Sequence, residues 1–479
     1  MCSQETPEVV SKLSRQRLDK LCDLIRDTYT QDNRPWIIGY SGGKDSTATL
    51  QLVWYALSEL SQGKFCKPVY VISSDTYVET PIVVDHINSN IEAINRVSED
   101  RKIPILALKV TPRIEDTFWV NMIGKGYPAP YNRFRWCTDR LKIEPANRFI
   151  KEQVSKYGEV IIVLGARRSE SATRAQVMNQ RRNIGERLSR HSELSNAWVL
   201  TPIEDWTSED VWEYLLNIPS PWRSSNHELL TMYRNAQGEE CPLVIDKTTP
   251  PCGNSRFGCW TCTVVSKDSS MESMIDRGQH WLEPLLEIRN WLAETLDPAI
   301  KKKVREFRRR TGHVEFRGDS GAKKLIMGPY KLDFRKTILK RLLEAQCRVQ
   351  ADGPDDKLTL ISREELLEIR KIWHFEEGDW EDSLPKICQE VTGHPLKIPR
   401  DDWSGMGGAE HIILEKVSKQ HELPVGLLSE LFDAEKRLHG MSRRAGIFDS
   451  IDSIFRKDWR SFEEIPELRV GIESDTQDI

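Results

Sequence analysis

The sequence predicts an α/β protein with a parallel, doubly wound sheet, followed by a Cys-rich segment and a charged helical C-terminal region. In the first 165 residues, short apolar runs alternate with longer segments of helical periodicity. The short runs, such as residues 160–164, are apolar throughout, which is typical of parallel strands covered on both faces. Beyond them, four cysteines lie within 22 residues, and the periodicity then becomes helical and charged.

The predicted helices and strands alternate along the first 165 residues. Residues 9–30 carry apolar side chains at helical spacing and predict an amphipathic helix, and residues 36–40 predict a buried strand. We expect the following elements next: a helix at 47–60, a strand at 69–72, a helix at 80–97, a strand at 105–110, a helix at 142–156 and a strand at 160–164. Such sheets have right-handed crossovers and bind ligands at the carboxyl ends of their strands.

The 479-residue length is that of two or three domains, and shifts in composition divide the chain further. We interpret residues 1–217 as the α/β domain and residues 218–268, rich in Pro, Gly, Ser and Cys, as a segment that a metal or cluster orders. Residues 269–345 are interpreted as a charged helical region, and residues 346–479 as a C-terminal helical region whose role the sequence leaves open.

Bulk composition narrows the class of protein. Hydrophobic residues make up 39 % and charged residues 30 %, as in globular enzymes, and every apolar run is far shorter than the roughly 20 residues of a membrane span. Because the N-terminus is polar and acidic, we expect a cytoplasmic protein without a membrane partner.

Charge limits how the chain can bind nucleic acid. Lys plus Arg total 69 and Asp plus Glu total 73, so the net charge is −4 and any nucleic-acid binding must come from local patches. Residues 301–310 carry seven cations against one anion and could bind phosphates. A solvated helix face or a surface for a protein partner explains that run equally well.

A Gly-rich loop follows the first predicted strand and runs into a helix. Its glycines permit a tight turn and a close approach to an anion, and its amides, hydroxyls and lysine favour negative charge. The loop lacks the spacing of a Walker A motif. We expect it to hold the phosphates of ATP, with a magnesium ion on Asp45. The residues of the loop are Ser41, Gly42, Gly43, Lys44, Asp45, Ser46 and Thr47.

The cysteine cluster has the spacing of a metal or cluster site. Cys241, Cys252, Cys259 and Cys262 are separated by ten, six and two residues. Four thiolates can hold zinc or a [4Fe–4S] cluster. We favour iron–sulfur, because a long loop replaces the second Cys-x-x-Cys knuckle that a zinc site usually has. A redox Cys-x-x-Cys pair remains the alternative.

The Gly-rich loop resembles the PP-loop of the ATP pyrophosphatase superfamily, and four further segments resemble its phosphoadenylyl-sulfate and adenylyl-sulfate reductase branch. Those segments are residues 73–76, 136–145, 164–174 and 202–212. The resemblance implies an adenine nucleotide alpha hydrolase-like fold. It also implies roles for individual residues: Ser74, Asp75 and Gly165 beside the nucleotide, and Lys44, Asp45, Lys142, Arg167 and Arg174 in catalysis.

Cys137 lies in the second of these segments and complicates the ligand set. In adenylyl-sulfate reductases, cysteines of this segment ligate the cluster, which implies a rival set of Cys137, Cys252, Cys259 and Cys262 that leaves Cys241 free. We favour the compact set of four. Cys137 is then expected to carry sulfur as a thiol whose pKa Lys142 and a neighbouring arginine lower.

The order of all these motifs over roughly residues 30–330 resembles the sulfurtransferases of DNA phosphorothioation systems (the DndC type). This resemblance implies cleavage of ATP to AMP and pyrophosphate. It also implies three kinds of partner: DNA, a cysteine desulfurase as sulfur donor, and other phosphorothioation-system proteins. A tRNA thiolation enzyme, a reductase of adenylyl sulfate and a non-enzymatic, nucleotide-regulated scaffold are the alternatives. The reductase fits less well, because no Cys follows residue 470.

Overall fold

The computed structural model describes residues 14–170, 187–191, 193–237, 258–317, 324–399, 408–438, 446–461 and 464–465. The chain divides into two compact units. Unit 1 comprises Met1–Pro112, Trp136–Cys262 and Lys267–His280, and unit 2 comprises Arg113–Arg135, Thr263–Ser266 and Trp281–Ile479. The four-part division by composition stays a prediction.

Unit 1 contains a six-stranded sheet of order β3-β2-β1-β4-β6-β5. All neighbouring strands are parallel except the edge pair β5 and β6. The predicted α/β class with a parallel-dominated sheet is therefore confirmed. The strands are β1 (Trp36–Gly39), β2 (Val69–Ser74), β3 (Ile105–Val110), β4 (Val160–Val163), β5 (Ser189–Arg190) and β6 (Ala197–Leu200).

The first four helices of unit 1 lie at the predicted positions with shifted ends, whereas the helices Ser208–Asn217 and Asn226–Gln237 were not predicted. The second helix begins at Lys44, three residues before the predicted 47, because Gly43 caps it in an extended conformation. The fourth helix follows a π-helix at Asp139–Ile143. The helices are α1 (Arg15–Thr30), α2 (Lys44–Ser58), α3 (Pro81–Arg101), α4 (Glu144–Tyr157), α5 (Ser208–Asn217), α6 (Asn226–Gln237) and α7 (Ser269–Asp276).

Side chains of β1 alternate between two apolar cores. Trp36 and Ile38 belong to the large core that also contains residues of α1 and α2, whereas Ile37 joins a smaller core with Ile150 of α4. All three β1 side chains are fully buried. Helices therefore cover both faces of the sheet, and the carboxyl edge is left for a ligand.

Unit 2 is mainly helical among its described residues, as the sequence predicts. Its helix α11 is anchored by Trp373, whose indole N–H donates to the carbonyl of Ile123 at 2.8 Å. Its two short strands, β7 (Phe316–Arg317) and β8 (Lys324–Leu325), pair antiparallel. None of the described helices of the chain is long and apolar enough to cross a membrane. The helices are α8 (Glu283–Glu294), α9 (Pro298–Val304), α10 (Leu332–Asp352), α11 (Arg363–Glu376), α12 (Ser383–Thr392), α13 (Gly408–Gln420), α14 (Val425–Leu438) and α15 (Ile447–Phe455).

Candidate functional site

The predicted phosphate loop connects β1 to α2 at the centre of the sheet. Gly42 has a φ of +73°, a conformation that side chains with a Cβ rarely adopt. The Ser46 hydroxyl donates to the carbonyl of Gly43 at 2.9 Å and accepts from the main-chain N–H of Ser41 at 3.2 Å. The loop is thus closed by its own side chains, and it lies where β1 has β2 on one side and β4 on the other. This reversal of strand order is the usual ligand crevice of such folds.

Lys44 is buried at the first position of α2 and is held by Tyr233 of α6. Its main-chain N–H donates to the Tyr233 hydroxyl at 3.1 Å, and its ammonium lies 5.4 Å from the centre of the Tyr233 ring. The same ammonium is 3.3 Å from the carboxylate of Asp45. The first N–H groups of a helix are its natural anion-binding donors. Tyr233 is therefore a candidate site residue that the sequence pattern did not reveal.

The end of β4 approaches the start of α2 very closely at Gly165. A Cβ on Gly165 would lie 2.6 Å from the carbonyl oxygen of Asp45 and 2.9 Å from the hydroxyl of Thr49. Two residues further on, the buried guanidinium of Arg167 donates to Asp45 at 2.6 Å and to Ser169 at 2.8 Å. The structure thus brings together Gly165, Arg167 and the phosphate loop.

A network of side chains that includes His86 and Asn90 packs against the phosphate loop at Gly42. The imidazole of His86 lies against Gly42, where an added Cβ would be 3.6 Å from the ring, and burial lowers the pKa of this imidazole. The Asn90 amide donates to the carbonyl of His86 at 2.8 Å, and its oxygen accepts from Trp222 at 2.9 Å and from Ser224 at 2.7 Å. The network connects the glycine turn to the segment that precedes α6.

The residues after β2 form the second wall of the site. Ser74 is the last residue of β2, and Asp75 binds the ammonium of Lys109 at 2.9 Å. The other carboxylate oxygen of Asp75 accepts from the N–H of Tyr77 at 3.0 Å. Tyr77 has a φ of +62° and an exposed ring. The tight turn at the end of β2 therefore has a defined shape.

This turn also holds one of the predicted cysteine ligands. Glu79 and Cys259 form an antiparallel bridge, and the N–H of Trp260 donates to the carbonyl of Val78 at 2.9 Å. The Thr76 hydroxyl is 3.4 Å from the sulfur of Cys259. The Cys-x-x-Cys pair is thus attached to the carboxyl edge of β2, beside the loop after β1.

Cys137 and Lys142 share the electrostatic environment of this cysteine pair. The charges of Cys259, Glu79, Cys137 and Cys262 raise the pKa of the Lys142 ammonium, Cys259 contributing most. Burial raises the pKa of the Cys259 thiol to about 11, although Lys142 acts against it. Lys142 lies on the π-helix, a distortion that is frequent at functional sites.

One expectation about Cys137 is wrong. Instead of being lowered by neighbouring cations, the pKa of the Cys137 thiol is raised, first by burial and second by the nearby charge of Cys262. Bonds to Thr138 and to its own main chain only partly offset these effects. A buried thiol with sulfur neighbours resembles a ligand more than an activated nucleophile.

Three predicted site residues, Arg174, Cys241 and Cys252, lie outside the described residues. Within the described part of the chain, no three His, Cys, Asp or Glu side chains are close enough together to hold a metal ion. Arg168, the neighbour of Arg167, pairs with Glu204 at 3.3 Å and Asp205 at 3.4 Å. Trp206 and Trp212 are buried in the core.

Residues 35–265 match the phosphoadenosine phosphosulfate reductase domain family. The match covers the loop, the turn after β2, Cys137, Lys142, Arg167 and the Cys-x-x-Cys pair. Together with the sheet topology, it supports the phosphoadenylyl-sulfate reductase-like branch of the PP-loop superfamily that the sequence motifs predict.

Individual relatives are more distant. Two uncharacterized proteins of Methanocaldococcus jannaschii are 29% identical over 198 residues and 26% identical over 209 residues, which is 41% and 42% of this chain. The aligned regions are only 35% and 42% of those proteins' own lengths.

Solved structures that match part of the chain include a phosphoadenylyl-sulfate reductase from Candida auris (15% identity, TM-score 0.29, 47% of this chain and 94% of that one). They also include an FMN adenylyltransferase from Candida glabrata (15% identity, TM-score 0.28, 51% and 74%). A third is the U34-tRNA thiolase from Methanococcus maripaludis with its [4Fe-4S] cluster (12% identity, TM-score 0.28, 60% and 81%). Matches this distant do not indicate a function for this chain.

Proposed function

We propose that the protein is an ATP-pyrophosphatase sulfurtransferase that activates the DNA backbone and places sulfur on it. The observation that supports this proposal is the adjacency of two kinds of chemistry in unit 1. The phosphate loop follows β1, and the turn that binds the Cys-x-x-Cys pair follows the neighbouring strand β2. A nucleotide on the loop and a sulfur species at the cysteines therefore lie at the same edge of the sheet.

ATP is needed because a phosphodiester oxygen is a poor leaving group. In the first step, a non-bridging oxygen of the DNA phosphate attacks the α-phosphorus of ATP, and the bond to pyrophosphate breaks. Lys44 and the amides at the start of α2 stabilise the charge that develops on pyrophosphate. Arg167 reaches the same region through Asp45 and can stabilise charge on the α-phosphoryl group.

In the second step, sulfur displaces AMP from the activated DNA phosphate. A hydrosulfide attacks the DNA phosphorus, the bond to the AMP oxygen breaks, and the thiol product loses a proton to give the phosphorothioate. If a cysteine desulfurase supplies sulfur as a persulfide, a thiol must also reduce the remaining S–S bond. Lys142 lies among the thiols and can stabilise the anionic sulfur that attacks.

A [4Fe–4S] cluster is the cofactor that we propose for the cysteines. We propose Cys259 and Cys262 as two of its ligands and Cys137, which shares their electrostatic environment, as the third. The three thiols are too far apart to hold a single metal ion, so the proposal is for a cluster, whose ligands lie farther apart. Cys252 then completes the set, and Cys241, which we favoured from its spacing, is left free. When bound, the cluster supplies a Lewis-acidic or electron-donating iron site for sulfur.

The residues near the loop fit a magnesium ion less well. Asp45, which we expected to bind it, already pairs with Arg167 at 2.6 Å and Lys44 at 3.3 Å. A carboxylate with two cationic partners has little charge left for a metal ion. We therefore assign no step to magnesium.

The proposal is tested by looking for sulfur in DNA. The protein is incubated anaerobically with duplex DNA, ATP, a cysteine desulfurase, cysteine and a thiol reductant, and the digested DNA is analysed by mass spectrometry. We expect phosphorothioate-linked dinucleotides with the wild type and at least 100-fold fewer with Lys44→Ala, whereas an exposed control, Lys64→Ala, behaves like the wild type. Sulfur in transfer RNA but not in DNA would replace the proposal by the tRNA thiolation alternative.

A further inference from the structure

Unit 2 contains a cationic groove between α10 and α12. Its volume is about 510 Å³, and it is lined mainly by polar side chains. Four of the lining residues are cations, Lys336, Lys340, Arg341 and Lys386, and two are acidic, Glu344 and Glu390. The groove therefore has two more positive than negative charges on its walls.

The cations on α10 are placed at a cost to the helix. Lys336 and Lys340 are four residues apart and share one face, where like charges destabilise an isolated helix. Lys336 is 3.1 Å from Asp379, and Lys340 is 2.5 Å from Glu390. The Lys340–Glu390 pair is solvent-exposed and contributes little, so a phosphate can take Lys340 from its partner, whereas Asp379 is buried and keeps Lys336.

Two further cations line the groove and, unlike Lys336 and Lys340, form no ion pair with an acidic side chain in the part of the chain that the structure describes. Lys386 is exposed on α12 and has no hydrogen bond or ion pair among the residues that the structure describes. The guanidinium of Arg341 lies 4.1 Å from the ring centre of Trp291, which itself packs against Phe334 at 5.2 Å. A guanidinium over an aromatic ring can still donate its edge N–H groups to phosphate oxygens.

The basic run at residues 301–310 is less suited to this task than its composition suggested. Arg305 is buried and donates to the carbonyls of Gly328 and Met327, both at 2.7 Å. Arg309 pairs with Glu315 at 3.3 Å, and Arg310 pairs with Glu376 at 2.7 Å. These arginines stabilise unit 2 internally, so the sequence overestimated the charge that the run offers to DNA.

We infer that the groove between α10 and α12 binds the phosphate backbone of DNA. The identity of the polyanion rests on the proposed function, whereas the phosphate chemistry rests on the groove itself. Cations that contact phosphates without reading bases position a nucleic acid and do not specify its sequence. The inference gives the C-terminal helices a role in substrate binding.

The test is a salt titration of DNA binding by the full chain. A fluorescent duplex is titrated with the wild type and with Arg341→Glu/Lys386→Glu, a pair of exposed residues outside the catalytic machinery. We expect at least tenfold weaker binding at fixed salt. The plot of log affinity against log salt should also become shallower by about 2, because each lost phosphate contact contributes about 0.9 to the slope.

A matched control separates the groove from net charge. Lys357→Glu/Lys371→Glu makes the same change in charge at exposed residues outside the groove, and it should keep most of the affinity and the wild-type slope. Equal losses in both double variants, or none in the groove variant, would overturn the inference. The inference would also fail if the groove variant lost affinity only for transfer RNA.

This outcome is independent of the sulfurtransferase assay. If the groove variant loses DNA affinity but the wild type forms no phosphorothioate, DNA binding in the groove is supported and the proposed function is contradicted. If the wild type forms phosphorothioate but the groove variant keeps its DNA affinity, the proposed function is supported and DNA binding in the groove is contradicted.

Discussion

At the scale of single residues, Gly165 shows how closely two elements can approach when no Cβ is present. Gly165→Ala would place a methyl group 2.6 Å from the Asp45 carbonyl and 2.8 Å from its carbon, both main-chain atoms that cannot rotate away. We expect the variant to lose about 1–3 kcal/mol of stability and most of its ATP turnover, because α2 must shift. Urea unfolding and pyrophosphate release measure the two effects.

Gly63→Ala is the matched control, since a Cβ at this position meets no atom within 4 Å and the residue has no positive φ. It should leave both stability and turnover near the wild-type values. Wild-type turnover in Gly165→Ala would show that the close approach of β4 and α2 is not required for catalysis.

A second prediction concerns the Tyr233 hydroxyl, which accepts the hydrogen bond of the Lys44 amide. Tyr233→Phe should lower the stability of the nucleotide-free protein by about 1 kcal/mol, because a buried donor loses its partner. A phosphate oxygen can replace that partner. Saturating ATP should therefore stabilise the variant more than it stabilises the wild type, as measured by thermal unfolding with and without ATP.

Tyr29→Phe provides the comparison, because the Tyr29 hydroxyl donates to the Lys67 carbonyl at 2.7 Å in the core. It should lose similar stability but gain only the wild-type increment from ATP. Equal increments in Tyr233→Phe and Tyr29→Phe would contradict a phosphate position at the Lys44 amide.

The sequence revealed those site residues that lie in one contiguous motif. Residues 41–47 were found because a loop that binds phosphate needs glycines, hydroxyls and a cation in immediate succession. Tyr233, His86 and Glu79 were missed, because packing alone brings them to the loop or the thiols from distant segments. In the sequence, each of the three is only a polar or aromatic residue in a helix or turn. Such residues occur throughout the chain and do not mark a site.

At the scale of elements, the turn after β2 binds the Cys-x-x-Cys segment through main-chain hydrogen bonds. This attachment places Cys259 and Cys262 in the environment of Cys137, although more than 100 residues separate them in sequence. Spacing in sequence favoured Cys241 as a ligand, whereas we propose Cys137 because it shares the electrostatic environment of Cys259 and Cys262. Iron analysis decides between the two.

We expect Cys137→Ala, purified anaerobically, to lose most of its iron and acid-labile sulfide, whereas Cys241→Ala keeps both. A cluster without one of its thiolates is open to solvent and loses iron readily. Cys66→Ala, which removes an exposed thiol, is the control for handling losses. Full iron in Cys137→Ala together with iron-free Cys241→Ala would restore the compact ligand set.

The parallel core strands were predictable because each is a continuous apolar run flanked by helices. Strand β5 was not predictable, since two residues are too few for a pattern, and β6 was missed although it is as long as β1 and β4. The π-helix before α4 was also missed, because its residues are compatible with an ordinary helix and only the main-chain hydrogen bonds distinguish it.

At the scale of the whole molecule, chemistry and substrate binding are assigned to different units. The phosphate loop, Arg167, Lys142 and the thiols of Cys137, Cys259 and Cys262 belong to unit 1, whereas the cationic groove belongs to unit 2. The sequence predicted a helical C-terminal half but not its division, because unit 2 also takes in residues 113–135 from the first half. Hydrophobic periodicity indicates helices and strands, but it does not indicate which compact unit a segment such as residues 113–135 belongs to.

The central claim is that the loop at residues 41–47 opens ATP at its α-phosphate. The most direct measurement is phosphorus NMR of the nucleotide products formed anaerobically with DNA and a sulfur donor. We predict AMP and pyrophosphate in equal amounts from the wild type, and a loss of at least 100-fold in Lys44→Ala. Formation of ADP and inorganic phosphate by the wild type, or undiminished AMP and pyrophosphate from Lys44→Ala, would contradict the claim.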